Sequence, residues 1–161
     1  MKIMDNKPIF VTMPTLAPLN ELNPFMEGIW ERGILTHNGP LVQQFEKEIA
    51  QFLKIRNMVV VSNGTIAIQM GIKALGLSGE IITSPFTFIA TLSSIIWEHC
   101  TPVFVDIDPE TFNIDPEKIE ERITNKTSAI LPVHVFGNPC DIGKIEREGS
   151  HYCMACPTDW L

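Results

Sequence analysis

The feature that most constrains the fold is an alternation of short apolar runs with helix-like segments between residues 58 and 145. Residues 58–61 form a β-branched run without polar alternation, as expected for a strand covered on both faces. Further strands are predicted at residues 81–83, 103–105 and 129–135. Strands that alternate with helices at this spacing pair in parallel through right-handed crossovers. The sequence therefore predicts an α/β fold with a mostly parallel sheet and flanking helices.

Helices are predicted where apolar residues recur at three- and four-residue steps. They lie at residues 19–33, 41–53, 68–75, 88–97 and 116–123, with a further helix beginning at 141. The helix at 116 has a well-marked start, with Asp115 as N-cap and Pro116 at its first position. From residue 147 onward the sequence shows neither a helical nor a strand period. The pattern predicts a domain over residues 1–146, followed by a tail over residues 147–161.

Composition narrows the class of protein. The chain has 161 residues, of which 45% are hydrophobic and 19% charged, as expected for one globular domain. Its net charge of −7 disfavours binding to nucleic acids and to anionic membranes. The longest uncharged stretch, residues 81–97, contains Ser, Thr and Pro and is shorter than the roughly 20 apolar residues of a membrane helix. No secretory signal is recognised at the start, and a cytoplasmic protein is expected.

The most informative local feature is the strand–turn–helix pattern over residues 61–67. Free backbone N–H groups at a helix start, together with the positive end of the helix dipole, bind anions. Gly64 would let a phosphate approach the backbone, and the Thr65 hydroxyl can add a hydrogen bond. The alternative is an ordinary corner, in which Ser62 or Asn63 only caps the helix. Neither the dinucleotide nor the P-loop glycine pattern is present.

A second candidate site follows the next predicted strand, at residues 83–91. Open α/β sheets bind their ligands at the carboxyl ends of their strands. Phe86 and Phe88 could offer a flat face to an aromatic cofactor, with Thr87 and Thr91 as polar neighbours. The alternative is that the two phenylalanines fill the core under a loop. Two candidate sites at adjacent strand ends strengthen each other.

Five segments in this order resemble the DegT/DnrJ/EryC1/StrS aminotransferases, which mostly build amino sugars. They are Gly-Pro-Leu-Val at 39–42, Ser-Asn-Gly-Thr at 62–65, Ser-Pro-Phe-Thr-Phe-Ile-Ala-Thr at 84–91, Pro-Val-Phe-Val-Asp-Ile at 102–107 and Pro-Val-His-Val-Phe-Gly-Asn-Pro-Cys-Asp at 132–141. The match runs through most of residues 8–146. The resemblance implies an incomplete large domain of the PLP-dependent transferase fold (aspartate aminotransferase type I), in a homodimer with its active site between subunits.

The resemblance also implies a cofactor, pyridoxal 5′-phosphate, and three residues that bind it. The backbone at Gly64 and Thr65, with the Thr65 side chain, corresponds to the phosphate cradle. Phe88 corresponds to the aromatic residue that stacks on the pyridine ring. The loop over residues 36–40 resembles the family's loop near the substrate entrance. His134 falls in the family's Pro-Val-His stretch, but a lone His at a strand end is interpreted as structural and is not assigned to the site.

The implied reaction moves an amino group from an amino acid, expected to be glutamate, to a keto-sugar nucleotide. It requires a Schiff-base lysine and an aspartate paired with the pyridine nitrogen. The lysines of this sequence sit on helix faces or helix ends, without the apolar pocket of a nucleophilic amine. They include Lys47, Lys54, Lys73, Lys118, Lys126 and Lys144. No catalytic residue is assigned, and the chain is expected to be a truncated member that is inactive alone.

Two other functions remain open. The chain could be a non-catalytic module that keeps a cofactor-shaped cleft for regulation or dimerisation. It could also belong to relatives that replace the lysine with histidine and dehydrate sugars. The coding DNA discriminates truncation from an intended short form, because a frame shift near codon 147 would restore the family pattern in the first case.

The predicted tail permits one further hypothesis, a metal site. His151, Cys153 and Cys156 supply three ligands within six residues, and C-x-x-C is a common zinc half-site. A structural zinc needs four ligands, so His134 or Cys140 would have to complete the set. The sequence contains no second half-site, and no metal is assigned.

Overall fold

The computed structural model describes residues 14–148. The chain divides into two compact units, Met1–Val60 and Val61–Leu161. Within its described part the first unit contains two helices, α1 (Leu19–Arg32) and α2 (Pro40–Leu53). Both were predicted from their apolar period.

Local signals in the sequence set the ends of these two helices. α1 ends where Gly33 adopts a φ of +64° and donates its N–H to the carbonyl of Ile29 at 2.8 Å, a common C-terminal cap. α2 begins with Pro40, directly after Gly39. Proline suits a first helical position because its missing N–H would have no intrahelical partner there.

The strand predicted at residues 58–61 is wrong, because this segment pairs with no strand in the part of the chain that the structure describes. The N–H of Val60 instead donates to the carboxylate of Glu46 at 2.8 Å. The side chain of Val59 is 66% exposed. β-branched residues favour a strand only where a neighbouring strand is available, and residues 14–148 supply none for this segment.

The second unit is built on a parallel sheet of three strands, β1 (Glu80–Thr83), β2 (Thr101–Phe104) and β3 (Thr127–Ile130). Their order is β2-β1-β3, so β1 is central, and its Ile82 lies opposite Val103 and Ile130. The predicted α/β fold with parallel pairing is confirmed.

β3 ends earlier than predicted. The N–H of Leu131 still bonds the carbonyl of Ile82 at 2.8 Å, but the next residue is Pro132, which has no N–H to continue the ladder.

Helices α3 (Gly64–Ala74), α4 (Ile89–Trp97) and α5 (Ile142–Glu148) complete this unit. The core consists of two clusters of buried side chains. Ile81 belongs to one cluster and the adjacent Ile82 to the other, and both are fully buried. Because successive side chains of a strand point to opposite faces, the sheet is covered on both sides.

The helix predicted at residues 116–123 is wrong in type. The structure has two short 3-10 helices there, Pro116–Lys118 and Glu120–Arg122. The predicted cap is present, since the Asp115 carboxylate accepts the N–H of Glu117 at 3.1 Å. Only two turns separate this cap from extended backbone at Ile123, and such short segments favour the tighter i→i+3 hydrogen bonds.

Two predictions fall on residues that the structure does not describe. The hypothesis of a metal site at His151, Cys153 and Cys156 lies outside residues 14–148, as does most of the predicted tail. Within residues 14–148, no group of three or more His, Cys, Asp or Glu side chains could hold a metal ion. None of the helices described is both long and apolar enough to traverse a bilayer.

Candidate functional site

The first turn of α3 carries two unused backbone donors. Asn63 is extended and caps the helix, with its side-chain oxygen accepting the N–H of Ile66 at 3.0 Å. Within residues 14–148, the N–H groups of Gly64 and Thr65 donate no hydrogen bond to the protein. An α-helix leaves its first N–H groups without intrahelical partners. Asn63 therefore caps the helix and still leaves two amides available to an anion.

The loop after β1 is held by hydroxyl groups. The buried Ser84 hydroxyl accepts the N–H of Phe86 at 3.0 Å. The hydroxyl of Thr87 lies 2.8 Å from that of the fully buried Thr91. Phe88 follows as the N-cap residue of α4, in extended conformation and with 70% of its surface exposed. The loop is thus fixed while the Phe88 ring remains accessible.

The three residues predicted to bind the cofactor, Gly64, Thr65 and Phe88, line one cavity of about 840 Å³. This volume is within the range of small-molecule sites. The other lining residues described are Ser62, Asn63, Ile68, Pro85, Phe86, Thr87, Ala90, Val133, Val135, Phe136 and Gly137. This described lining contains no Asp, Glu, Lys, Arg or His side chain. The cavity can hold and orient a ligand, but these residues offer no titratable group for proton transfer.

The local sequence pattern does not distinguish Phe86 from Phe88, but the two rings have different neighbours in the structure. The Phe86 ring centroid lies 5.8 Å from that of Phe112 and 6.1 Å from that of Phe136. Phe88 has no such ring neighbour among the described residues. The face of Phe88 is therefore open to stack on a flat ligand, whereas Phe86 belongs to a cluster of three rings.

Phe112 and Phe136 were missed by sequence reasoning. Phe112 lies in a loop and Phe136 in the single 3-10 turn Val135–Gly137 of a later loop, and no periodic pattern connects either residue to Phe86. Only the tertiary structure brings the three rings together.

Two of the lysines considered above are engaged in ion pairs. The ammonium of Lys118 lies 3.2 Å from the Asp115 carboxylate, and this hydrogen bond raises the pKa of Lys118. Lys144 lies 3.9 Å from Asp141. A raised pKa keeps the Lys118 amine protonated at neutral pH, so it cannot act there as a nucleophile.

The side chain of His134 makes a structural hydrogen bond, as expected from the sequence. Its Nδ1 accepts the backbone N–H of Cys140 at 3.0 Å. His134 is not part of the described lining of the cavity. The loop at residues 36–40 belongs to the first unit, and its role at a substrate entrance stays a prediction.

Comparison with known proteins adds an independent line of observation. The model of the DegT/DnrJ/EryC1/StrS aminotransferase family matches residues 20–155. The chain is 52% identical over 146 residues to a dTDP-4-amino-4,6-dideoxy-D-glucose transaminase of Shigella dysenteriae and 44% identical over 149 residues to the Escherichia coli enzyme of that name. These alignments cover 91% and 92% of this chain and 40% of each relative. The chain thus spans about 40% of the length of these relatives.

Solved structures resemble the described fold over nearly the whole chain. DesI, crystallised in the presence of its TDP-sugar product, matches with a TM-score of 0.84 and 32% identity, over 94% of this chain and 39% of that protein. NtdA of Bacillus subtilis, with bound cofactor PMP, matches with a TM-score of 0.78 and 34% identity, over 93% of this chain and 37% of that protein.

Proposed function

The chain belongs to the DegT/DnrJ/EryC1/StrS aminotransferase family, and from this premise we propose that its cavity binds pyridoxal 5′-phosphate within an enzyme that transfers an amino group to a keto-sugar nucleotide. One observation carries the proposal: two free amides and an exposed aromatic ring line the same cavity. The proposed donor is an amino acid, glutamate by the family resemblance. The names of the two transaminases and of the DesI structure support a dTDP-linked sugar as acceptor.

The proposed phosphate contacts are the N–H groups of Gly64 and Thr65 and the Thr65 hydroxyl. Each is a donor without a protein acceptor in the described part of the chain. The first turn of α3 also carries the positive end of the helix dipole, which favours an anion. The described lining includes no carboxylate that would repel a phosphate. The donor set therefore fits a phosphate monoester.

The proposed contact to the pyridine ring is the face of Phe88. Offset stacking of two flat rings is favourable, and covering this 70% exposed side chain removes apolar surface from water. When bound, pyridoxal phosphate supplies the electron sink that amino-group transfer needs. The residues described here hold and orient it, and the apolar parts of the lining keep water from its ring.

The proton-transfer groups are proposed to come from outside residues 14–148. The cavity lining described here lacks both a lysine and an aspartate, which the family's reaction requires. This segment alone is therefore proposed to bind the cofactor without transferring amino groups.

A homodimer is also proposed for this protein. Large apolar side chains are exposed in the described part of the first unit, including Leu19, Trp30 and Phe52, at 72%, 74% and 80%. Apolar surface of this extent marks a site of association. A second copy is the partner that the family resemblance implies.

A non-catalytic cofactor-binding module is a second candidate function. The observation that favours it is the same lack of titratable side chains in the described lining. Such a module would bind pyridoxal phosphate with the same residues and show no turnover in any assembly.

Titration of the purified chain with pyridoxal phosphate tests the proposal. We expect binding at one site per chain, competition by inorganic phosphate, and no borohydride-trapped adduct at a single lysine. Thr65→Val should weaken binding about tenfold, since a hydrogen bond to a charged group contributes about 1.5–3 kcal/mol. Phe88→Leu should weaken it about threefold through lost stacking, of about 0.5–1.5 kcal/mol.

The matched control is Phe104→Leu, a partly exposed phenylalanine of β2 that is not part of the described lining of the cavity. It should leave the affinity unchanged. Absence of binding, or equal affinity of the wild type and both cavity variants, would refute the proposed role of this cavity. The chain can also be mixed with the part of a longer relative that it does not match. Transamination by the mixture would favour the enzyme over the non-catalytic module.

A further inference from the structure

A buried asparagine joins two loops beside the cavity without lining it. Asn113 is 3% exposed, and both ends of its amide are used. Its Oδ1 accepts the N–H of Val135 at 2.9 Å, and its Nδ2 donates to the carbonyl of Asn138 at 3.0 Å. Asn138 in turn donates through its Nδ2 to the carbonyl of Thr111 at 3.3 Å. Three hydrogen bonds therefore fix residues 135–138 against residues 111–113.

Each loop holds a phenylalanine in an unfavourable backbone conformation. Phe112 has a φ of +60° and Phe136 a φ of +53°. A bulky side chain is uncommon in this left-handed region because its Cβ crowds the backbone. Such residues persist only where their surroundings determine the conformation, and they cluster at functional sites. Asn113 follows Phe112 in the chain, and its hydrogen bonds to Val135 and Asn138 hold both loops in these conformations.

The two loops carry their rings to the same place. The centroids of Phe112 and Phe136 are 6.4 Å apart, in an edge-to-face arrangement, and both rings contact Phe86. Phe136 and Gly137 line the cavity, whereas Asn113 does not. Phe136 is 65% exposed, so its position depends on the backbone that holds it rather than on burial.

From this arrangement we infer that Asn113 is a positioning residue: it holds the segment 135–137 in the conformation that makes Phe136 one wall of the ligand cavity. The inference rests on the proposed function for the identity of the ligand, pyridoxal phosphate. Asn113 touches no ligand in this scheme and acts through the backbone N–H of Val135. Its loss should therefore reduce affinity only as far as the lining residues of this segment, Val135, Phe136 and Gly137, contribute to it.

A double-mutant cycle with pyridoxal phosphate as the probe tests this dependence. Asn113→Ala and Phe136→Ala should each weaken binding by about tenfold. The double variant should lose less affinity than the product of the two single effects, because the ring that Asn113 positions is then already absent. Asn125→Ala is the control, since this exposed asparagine makes no side-chain hydrogen bond to the described residues. Multiplied effects in the double variant, or unchanged affinity of Asn113→Ala, would overturn the inference.

Amide hydrogen exchange gives a readout that does not need the ligand. In Asn113→Ala the peptide containing Val135 should exchange at least tenfold faster, while the peptide containing β1 should exchange as in the wild type. Unchanged exchange at Val135 would refute the inference.

Should the alanine variant not fold, Asn138→Ala keeps both side-chain hydrogen bonds of Asn113 and loses only the bond to the carbonyl of Thr111, and an intermediate effect is expected. A wild type that binds no pyridoxal phosphate would refute the proposed function, and the exchange experiment would still decide on Asn113.

Discussion

The buried hydroxyl of Ser94, on α4, donates a hydrogen bond of 3.3 Å to the backbone carbonyl of Thr65, in the first turn of α3. Ser94 is fully buried. The bond connects one helix to the turn whose amides face the cavity. The orientation of those amides therefore depends on a side chain that does not itself line the site.

Replacement of Ser94 tests this connection. Ser94→Ala should lower the free energy of unfolding by about 1 kcal/mol, the usual contribution of one internal hydrogen bond. It should also weaken pyridoxal phosphate binding severalfold, as measured by titration beside urea unfolding. Ser93→Ala, at an exposed position of the same helix, is the control and should change neither quantity. An affinity unchanged in Ser94→Ala would contradict a role for this bond in the site.

Two glycines with positive φ should differ in their tolerance of alanine. Gly79 has a φ of +84°, and an added Cβ would lie 2.5 Å from the carbonyl oxygen of Lys126. Gly76 has a φ of +64° with no atom within 4 Å of such a Cβ. Gly76→Ala should cost about 1 kcal/mol of backbone strain. Gly79→Ala should cost about 3 kcal/mol, because the clash adds to the strain at the start of the sheet.

Urea unfolding of both variants gives the comparison. The Lys126 carbonyl also accepts the N–H of Glu80 at 2.9 Å, so it cannot move away without loss of a bond at the start of β1. Equal stability of the two variants would contradict the close approach of these backbones.

The loop at Asp108 should lose stability in acid. A hydrogen bond from the backbone N–H of Thr111 lowers the pKa of Asp108 below its usual 3.8, and the Thr111 hydroxyl and the N–H of Glu110 add to this effect. Because the folded pKa lies below the unfolded one, the stabilisation is present above about pH 4 and is lost as the pH falls through the folded value. NMR titration of the carboxyl should show the lowered pKa, and Asp108→Asn should remove this part of the acid dependence.

The thiol of Cys100 should be unreactive in the folded protein. Burial raises the pKa of Cys100, and the negative charge of Glu98 raises it further. Iodoacetamide at pH 8 should label Cys100 only after unfolding in urea, as mapped by peptide mass spectrometry, because the thiolate is the nucleophile. Since the folded pKa lies above the usual 9.0, the contribution of this thiol to stability is complete below pH 9 and is lost as the pH rises through the folded value. Rapid labelling of the native chain would contradict this assignment.

The central part of the fold could be predicted because its signals are local. The apolar pair Ile81–Ile82 predicted a strand, and the structure places one of the two side chains in each core cluster. The run at residues 58–61 carries the same signal, yet it forms no strand in the described structure. Strand formation depends on a partner, which a local pattern cannot supply.

The candidate site could be predicted only in part. Gly64, Thr65 and Phe88 follow recognisable strand ends, and the structure places all three along one cavity. Their assignment to pyridoxal phosphate stays a proposal. Asn113 and Phe136 could not be found in this way, because their relation depends on hydrogen bonds between two loops more than 20 residues apart.

Helices α3 and α4 both begin at the cavity, since Gly64 and Thr65 form the first turn of one and Phe88 caps the other. In the proposed site, the attraction for a phosphate therefore comes from peptide dipoles, since the described lining contains no lysine or arginine side chain. Peptide dipoles do not ionise. The contribution of these dipoles to phosphate binding is therefore independent of pH over the range that preserves the fold, whereas the ionisation of the ligand still changes with pH.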